Sequence, residues 1–441
     1  MSDSSKTANS SRAHTYRWIA LLLLVLAYVC SFVDRQIFAI LQQPIKTAMN
    51  LSDTELGLLG GLAFAIFYTG FGIPLARLAD QYSRTTIISI CLALWSVMTA
   101  MCGAATGFLT LALARVGVGV GEAGCSPPAH SLLADYFAPR ERSTAFGIYT
   151  LGIPIGGALG LLIGGYVNVA LGWREAFFVV GLPGLLLALI IAFALKEPPR
   201  GLSENLEAAG TAKPPTLGEV ARTLWKRKTF HHLCAAFALT AFAGYGVGQW
   251  YPTYFIRSFG LNTGTVGLVT AISTGLFGGI SSYVGGVLAD KYSKRDLRWI
   301  CWVPAIALLI NIPFAVTMVF QEKFSTAVPI LFAGALFTGV HLGPIFGVAQ
   351  TLAPLRMRAL TASILLFATN LVGLGLGPLA VGIESDLLAK AGVNTASGFG
   401  ANNSLRYALL VNSVVTLWAV LHYVLAARTL REDIARSNET G

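Results

Sequence analysis

The seven residues "LADQYSR" at 78–84 return as "LADKYSK" at 288–294, so that the order Leu-Ala-Asp-x-Tyr-Ser-basic is kept in both copies. Each copy is followed by one member of a second pair of similar stretches. These are "APRERSTA" at 138–145 and "APLRMRALTA" at 353–362. Two landmarks repeated in the same order indicate that the chain is an internal duplication of two halves.

The composition is typical of a membrane protein. Apolar residues make up 55% of the chain and charged residues only 12%, a balance unlike that of a water-soluble domain. A helix needs about 20 apolar residues to cross the hydrocarbon core. The predicted spans cover 17–41, 54–76, 86–105, 109–133, 143–169, 174–195, 229–256, 264–287, 299–320, 326–350, 360–383 and 405–427. We therefore predict an all-α integral membrane protein with twelve transmembrane helices in two pseudo-symmetric six-helix bundles.

A polar stretch divides the twelve spans into two sets of six. We predict an N-terminal six-helix bundle at 1–195, a cytoplasmic linker at 196–228 and a C-terminal six-helix bundle at 229–441. The linker is too short and too polar to form a domain. Its end, "TLGEVARTLWKRK" at 216–228, predicts either an amphipathic helix lying on the inner leaflet or a solvated connection.

The basic residues indicate the orientation. Most of the 31 lysines and arginines fall on the side that holds both termini, and positive loops stay in the cytoplasm. We expect a multi-pass cell-membrane protein, in the inner membrane if it is bacterial, with both termini cytoplasmic. The net charge of +10 then reflects topology and not a nucleic-acid partner. The six cysteines lie in apolar stretches without CxxC spacing, so no metal and no cofactor is expected.

Four ionisable side chains clearly interrupt the predicted spans, namely Asp34, Arg35, Arg115 and Glu122. Such a group costs about 2.5–3.5 kcal/mol at the bilayer centre on insertion scales, so each should face protein or a water-filled cavity. Arg115 and Glu122 lie two turns apart on one helical face, and Asp34 has a depth similar to that of Arg115. An ion pair between Asp34 and Arg115 is therefore reasonable. Arg35 is rotated by about 100° from Asp34, so one of these neighbours is expected to bind substrate instead.

These charges lead to a hypothesis of proton coupling. Asp34 or Glu122 can take up a proton when it faces water. The neutral carboxyl then releases an arginine, and it lowers the free-energy cost of an intermediate conformation in which the site is closed to water. Proton occupancy would thereby bias two conformations. The alternative is a static ion-pair network that only locks the helices of one half.

Several stretches resemble the major facilitator superfamily across essentially the whole chain. The cytoplasmic signature of that family reads Gly-x-Leu-Ala-Asp-basic-x-Gly-basic-basic, from which the first copy departs at Ala76 and Gln81. The stretches "FVDRQIF" at 32–38, "LSDTELGLL" at 51–59, "RVGVGVGEAG" at 115–124 and "SLLADYFAPRERS" at 131–143 resemble the spinster branch. This resemblance implies a secondary transporter for an amphiphilic or lipid-like solute. The Asp-Arg pair of the first span and "WYPTYF" at 250–255 also resemble the proton-coupled organic anion symporters, which are the alternative.

The repeated signatures predict a gate at the cytoplasmic membrane edge. An aspartate of each copy is expected to pair with an arginine of the following repeated stretch, or to bind a helix N-terminus, when this side is closed. The alternative is that these are ordinary positive loops. The gate residues are Asp80, Arg84, Arg140 and Arg142 in the first half, and Asp290, Lys291, Arg356 and Arg358 in the second.

The C-terminal half offers polar and aromatic residues instead of strong charges within its spans. As candidates for the wall of a substrate cavity we take Tyr245, Gln249, Trp250, Tyr254, His341 and Asn370. For each of these residues, packing in the bundle or against lipid is the alternative.

Other classes of protein fit less well. An enzyme would need a cluster of nucleophile or metal ligands, and no such motif occurs in the sequence. Two duplicated halves with a charged cluster in one of them fit a carrier that works by alternating access better than they fit a channel. We therefore predict that the chain is not an enzyme and that its partners are an amphiphilic small molecule, protons and membrane lipids. We expect it to be a monomer.

Overall fold

Long apolar runs form helices because a helix satisfies its backbone polar groups internally where lipid offers no partner. The computed structural model describes residues 2–200, 216–352, 357–396 and 403–439, and these are helices and turns without a strand among them. Within these described ranges, twelve helices are long and apolar enough to cross a membrane. Labelled α1 to α12, they are Thr15–Met49, Asp53–Gln81, Arg84–Gly103, Phe108–Tyr136, Arg140–Ala170, Trp173–Ala194, Lys228–Phe259, Thr263–Ser293, Trp299–Val319, Phe324–Ala349, Leu360–Lys390 and Asn403–Ala435. The predicted fold class is confirmed.

Local sequence signals fix where several spans begin and end. Ser52 opens α2 with a capping box, in which its hydroxyl accepts the N–H of Glu55 and the Glu55 carboxylate accepts the N–H of Ser52. The side chains of Ser83 and Asn262 cap α3 and α8 in the same position. Gly260 ends α7 with a φ of 64°, a left-handed conformation that glycine adopts without a steric cost.

Irregularities inside the spans repeat between the two halves. A π-helical segment covers Leu58–Leu62 in α2, and another covers Ile272–Phe277 in α8. Helix α4 is interrupted between Ala123 and Ser126, and α10 is interrupted between Thr338 and Leu342. Each pair is separated by nearly the same length of chain as the repeated stretches at 138–145 and 353–362. The duplication therefore extends to local defects of a kind that is common at functional sites of membrane helices.

The chain packs into two units. The first contains Met1–Phe38 and Ile66–Thr211, and the second contains Ala39–Ala65 and Ala212–Gly441. The second unit thus includes the C-terminal part of α1 and the first part of α2, although both belong by sequence to the first half. The boundaries at 1–195, 196–228 and 229–441 describe the sequence repeat and stay a prediction.

The end of the linker forms a short helix, Leu217–Trp225, which we call the linker helix. Thr216 and Glu219 form a capping box at its start. Val220 and Leu224 are completely buried in a cluster of the second unit that includes Phe230, whereas the sequence predicted an apolar side on the leaflet or a solvated connection. This side of the linker helix therefore packs against protein, and the placement of the helix on the inner leaflet stays a prediction.

Candidate functional site

The four charges predicted within the first half lie inside the first unit. Asp34, Arg115 and Glu122 are 3%, 2% and 1% exposed, and the side chain of Arg35 is 12% exposed. Four ionisable groups on α1 and α4 are therefore enclosed by protein. An enclosed charge needs close partners, because its hydration is lost.

Glu122 receives three donors on one carboxylate oxygen. The Nε and NH2 atoms of Arg35 each lie 2.8 Å from Oε2 of Glu122, and the Ser31 hydroxyl donates to the same atom at 2.7 Å. The Arg35 guanidinium also lies 5.0 Å from the ring centroid of Phe32 and 4.7 Å from that of Tyr68. The structure therefore pairs Glu122 with Arg35, a combination that the sequence analysis did not predict.

Asp34 has fewer partners. Its Oδ1 atom is buried, and no donor among the described residues reaches it. Thr99 and Trp95 lie beside the carboxyl, and Glu122 and Arg115 are the charges that act on it. The Arg115 guanidinium lies 4.9 Å from the ring centroid of Phe38. Arg115 thus acts electrostatically on Asp34, and the ion pair between the two side chains stays a prediction.

A second buried charge cluster lies in the second unit, around Asp53 at the start of α2. Asp53 is 3% exposed and receives both terminal nitrogens of Arg257, at 2.7 and 2.8 Å. Lys46 donates to it at 2.5 Å and the hydroxyl of Ser385 at 2.7 Å. The Nε atom of Arg257 also donates to Gln43 at 2.6 Å. One carboxylate thus joins residues of α1, α7 and α11.

The same region fixes the first turn of α2 through its backbone. Asp386 of α11 accepts the N–H groups of Asp53 and Thr54, at 3.1 and 2.7 Å, and the Thr54 hydroxyl at 2.6 Å. A carboxylate at a helix N-terminus is favourable because of the unpaired N–H groups and the helix dipole. Close backbone approach requires small residues, since a Cβ on Gly382 would lie 2.3 Å from the carbonyl oxygen of Asp53.

Sequence reasoning did not find this second cluster. The expectation that the C-terminal spans lack strong charges is wrong, because α7 contains Arg257, α11 contains Asp386 and α12 contains the 5% exposed Arg406. The predicted spans ended too early at 256 and 383, and Arg406 was overlooked within the last one. The signal that could have found Asp53 was the S-x-x-E capping box within "LSDTELGLL" at 51–59.

Among the predicted gate residues, Arg84 forms the most contacts. It is 1% exposed and forms ion pairs with Asp135 and with Glu197, the latter at 2.6 Å. It also donates to the Ser131 hydroxyl and the Pro198 carbonyl. Desolvation alone would raise the pKa of Glu197, but the N–H of Thr85 and the Arg84 guanidinium outweigh it and lower the pKa. Arg84 therefore attaches the start of the linker to α3 and α4.

The other gate residues are more exposed. Arg142 donates to the carbonyl oxygens of Ala134 and Phe137, at 2.9 and 3.3 Å. The exposed members are Asp80, Arg140, Asp290 and Lys291. Arg356 and the side chain of Arg358 lie outside the described residues. The pairing of the two aspartates with arginines stays a prediction.

The six cavity candidates separate into two groups. Trp250 and Tyr254 are completely buried, and their polar atoms donate to the backbone carbonyls of Pro378 and Val319. These contacts favour the packing role that was the alternative for them. The partly exposed candidates are Tyr245, Gln249, His341 and Asn370. Within the described chain, Nε2 of Gln249 and Nδ1 of His341 are buried without a hydrogen-bond partner, and His341 lies at the interruption of α10.

Comparisons with known proteins agree with this architecture. The family model of the Major Facilitator Superfamily matches residues 24–378. An MFS-type efflux pump of Mycolicibacterium smegmatis is 32% identical over 418 residues, which are 95% of this chain and 94% of that protein. The hexuronate transporter of Bacillus subtilis is 27% identical over 322 residues, 72% of each chain.

A solved structure is similar over nearly the whole length. It is the crystal structure of a bacterial homologue of the human lysosomal transporter spinster, in an inward-facing and unoccupied conformation. The TM-score is 0.87 at 32% sequence identity, with 95% of this chain and 98% of that chain covered. The chain is thus a multi-pass membrane transporter of small molecules and not an enzyme, and it belongs to the Major Facilitator Superfamily with similarity to its spinster members.

Proposed function

We propose that the chain is a secondary active transporter that moves an amphiphilic or lipid-like solute by alternating access and is coupled to protons. The observation that carries this proposal is the enclosed pair of Arg35 and Glu122, with both donors at 2.8 Å. Ionisable groups enclosed in a membrane span are candidates for a functional role, because the free-energy cost of burying them is tolerated where they serve the activity of the protein.

The coupling step follows from the hydrogen bonds of Glu122. While Glu122 is ionised it holds the Arg35 guanidinium, and Ser31 supports the same oxygen. A proton on Glu122 removes the charge that holds Arg35, so the guanidinium becomes available to an anionic group of the solute. Binding of the proton and of the anion then favour each other. Release of both returns the pair to its starting arrangement.

Asp34 gives the site a second proton acceptor. Its Oδ1 atom lacks a donor within the described part of the chain, and Glu122 and Arg115 are the charges that act on it. The two carboxyls interact, so they titrate as one coupled unit. With both ionised, the four charges cancel, and each added proton leaves a positive charge that an anionic headgroup can balance.

The cluster around Asp53 is proposed as the element that stabilises one conformation. Its donors from α1 and α7 and the cap from Asp386 hold the start of α2 within the second unit. Separating a buried ion pair leaves uncompensated charges, which is costly. Any conformation in which this end of α2 leaves Arg257 must therefore be stabilised by solute or protons. On the other side of the membrane, Asp80 and Asp290 keep their proposed gate role, with both termini placed in the cytoplasm.

The alternative is a proton-coupled organic anion symporter. It is favoured by the 27% identity to the hexuronate transporter of Bacillus subtilis, a protein whose name denotes a carboxylated sugar. The lipid-like solute is favoured by the greater similarity to the spinster homologue structure, at 32% identity over 95% of the chain. Both solutes carry an anionic group that fits Arg35.

The deciding experiment is solute uptake into proteoliposomes under an imposed pH gradient, with labelled lysophospholipid and labelled hexuronate offered separately. We expect the gradient to drive uptake of the lysophospholipid, and we expect both Asp34→Asn and Glu122→Gln to lower that drive about tenfold. Uptake of hexuronate alone would favour the alternative. Gradient-driven uptake that is unchanged in both variants would remove the proposed coupling mechanism.

A further inference from the structure

Two histidines form a polar pair in the second unit. The Nδ1 atoms of His232 on α7 and His422 on α12 lie 3.1 Å apart, and both side chains are half-buried. Next to His422 on α12, Trp418 and Leu421 are 56% and 52% exposed. Exposed apolar side chains on a membrane span contact acyl chains, so the histidine pair borders a surface that lipid covers.

The depth of the pair follows from the span boundary. Helix α7 begins at Lys228, and His232 lies one turn further, or about 6 Å along the axis. This distance places the imidazoles in the zone between the hydrocarbon core and the headgroups, where phosphate and glycerol groups reside.

The pair leaves polar atoms without protein partners. A contact between two Nδ1 atoms uses one N–H donor and one lone pair. One ring therefore keeps an Nε2–H donor and the other keeps an Nε2 acceptor. No further hydrogen bond to either ring is formed by the described residues. An unsatisfied polar group next to lipid is costly, which favours a partner from the bilayer itself.

Exposed basic residues lie on the segment that leads into α7. Lys228 is exposed and lies one turn from His232, so both share a face of α7. On the linker helix and just beyond it, Arg222 and Lys226 are exposed as well. Trp225 is 72% exposed and its ring lies 4.6 Å from that of His231. Exposed tryptophan beside basic residues is typical of the membrane–water interface.

The turn between the linker helix and α7 is held by the end of α12. Arg227 donates to the carbonyl oxygen of Asp433 at 3.0 Å, and the Asp433 carboxylate accepts the N–H of Thr229 at 2.8 Å. Val220 and Leu224 bury the opposite side of the helix. The cations at this membrane edge therefore have a fixed position relative to the histidine pair.

We propose that the surface formed by Lys228, His232 and His422, with Arg222 and Lys226 at its rim, binds the phosphate of an anionic phospholipid from the surrounding bilayer. The phosphate would accept the free imidazole N–H and balance the lysine charge, while the acyl chains lie along Trp418 and Leu421. A metal ion is the less favoured ligand, since the described residues offer no group of three His, Cys, Asp or Glu side chains. This site shares no residue with the cluster of Asp34, Arg35, Arg115 and Glu122, so the proposal does not depend on the transported solute.

The experiment measures lipid retention. Full-length protein is exchanged into equal amounts of phosphatidylglycerol and phosphatidylcholine, and bound lipids are counted by native mass spectrometry. We expect one preferentially retained phosphatidylglycerol that inorganic phosphate does not displace. Lys228→Gln should lower the preference about fivefold, and the double variant His232→Phe with His422→Phe should abolish it. His422→Gln, which keeps an N–H donor, should retain part of it.

The matched control is Lys323→Gln, an exposed lysine next to α10. We expect it to leave the preference unchanged. Equal retention of the two lipids by the unmodified protein overturns the proposal. So does an equal loss in Lys323→Gln and Lys228→Gln, because it would indicate unspecific attraction by net charge. Displacement of the lipid by free phosphate, or a histidine-dependent mass shift that requires Zn²⁺, would replace the lipid with another ligand. Size-exclusion profiles establish that each variant is folded.

Discussion

The guanidinium of Arg35 and the carboxylate of Glu122 meet inside the first unit, where Nε and NH2 of the arginine both lie 2.8 Å from the same oxygen. The glutamate side chain has no exposed surface, and that of the arginine is 12% exposed. A pair in this environment is strong while both groups are charged and is lost when the carboxyl is neutral. The proposed coupling rests on that difference.

Glu122→Gln should separate solute exchange from proton coupling. The amide cannot release a proton, so we expect solute-for-solute exchange in proteoliposomes to continue while the effect of a pH gradient falls about tenfold. The matched control is Glu141→Gln, which neutralises a glutamate that pairs with Arg17 at a more exposed position. Equal losses of gradient-driven uptake in both variants would argue against a special role of Glu122.

Asp53→Asn should destabilise the second unit. Removing the carboxylate leaves Arg257, which is 11% exposed, and the partly exposed Lys46 without their counter-ion, and breaking a buried pair costs about 3–5 kcal/mol. We expect earlier thermal unfolding in detergent and increased alkylation of a cysteine placed at Gln43. Asp296→Asn is the control, since Asp296 pairs with Arg298 and Arg431 at the surface. If both variants unfold at the same temperature, the Asp53 cluster does not hold this end of α2.

Glu197 predicts a pH dependence of stability. Its folded-state pKa is lowered by the N–H of Thr85 and by Arg84, against the effect of desolvation. A lowered pKa contributes stability above the unfolded-state value and loses it as the pH falls through the folded-state value. The unfolding-temperature difference between the unmodified protein and Glu197→Gln should therefore be largest near neutral pH and shrink toward pH 4. A difference that grows on acidification would contradict this assignment.

The ion pairs of Asp296 should stabilise the folded protein down to an acidic pH. Hydrogen bonds from Arg298 lower its pKa to about 2, so its ion pairs persist from pH 7 down to pH 4. We expect the difference between the unmodified protein and Asp296→Asn to be small and constant from pH 7 to pH 4. A change in this difference around pH 5 would show that the pairs with Arg298 and Arg431 do not persist in solution.

Gly382→Ala tests the close packing of α11 against α2. A Cβ at this position would lie 2.3 Å from the carbonyl oxygen of Asp53, which is a backbone atom and has no alternative rotamer. We expect poor folding yield or a clearly lower unfolding temperature, because the two backbones must separate. Gly70→Ala in α2 is the control, since nothing lies within 4 Å of its Cβ. Similar behaviour of both variants would show that the approach is not rigid.

Much of the fold was predictable because the bilayer simplifies the reading of a sequence. Apolar runs of the required length predicted all twelve spans. The errors concerned charges near their ends: Arg257 was assigned to a loop, and Arg406 was overlooked at the start of the last span. The duplication was equally accessible, because "LADQYSR" and "LADKYSK" occupy equivalent places in the two halves.

For the candidate site, the sequence predicted which residues belong to it but not which of them pair. A charged residue within an apolar span is visible from the sequence, and Asp34, Arg35, Arg115 and Glu122 are indeed enclosed in one unit. Their pairing was not, because a helix rotation of a few tens of degrees decides which of two adjacent side chains reaches a neighbouring span. Helical periodicity places Asp34 and Arg35 relative to each other but not relative to α4.

The sequence by itself thus determined that the chain lies in a lipid bilayer, and it determined the number of spans, the repeat and the rare charges within the spans. Each of these depends on composition or on periodicity along one helix. The tertiary structure decided that Glu122 holds Arg35 and that Asp53 joins Lys46, Arg257 and Ser385. These contacts connect residues far apart in the chain, and the depth and rotation of one helix against another are set by packing that no local pattern records.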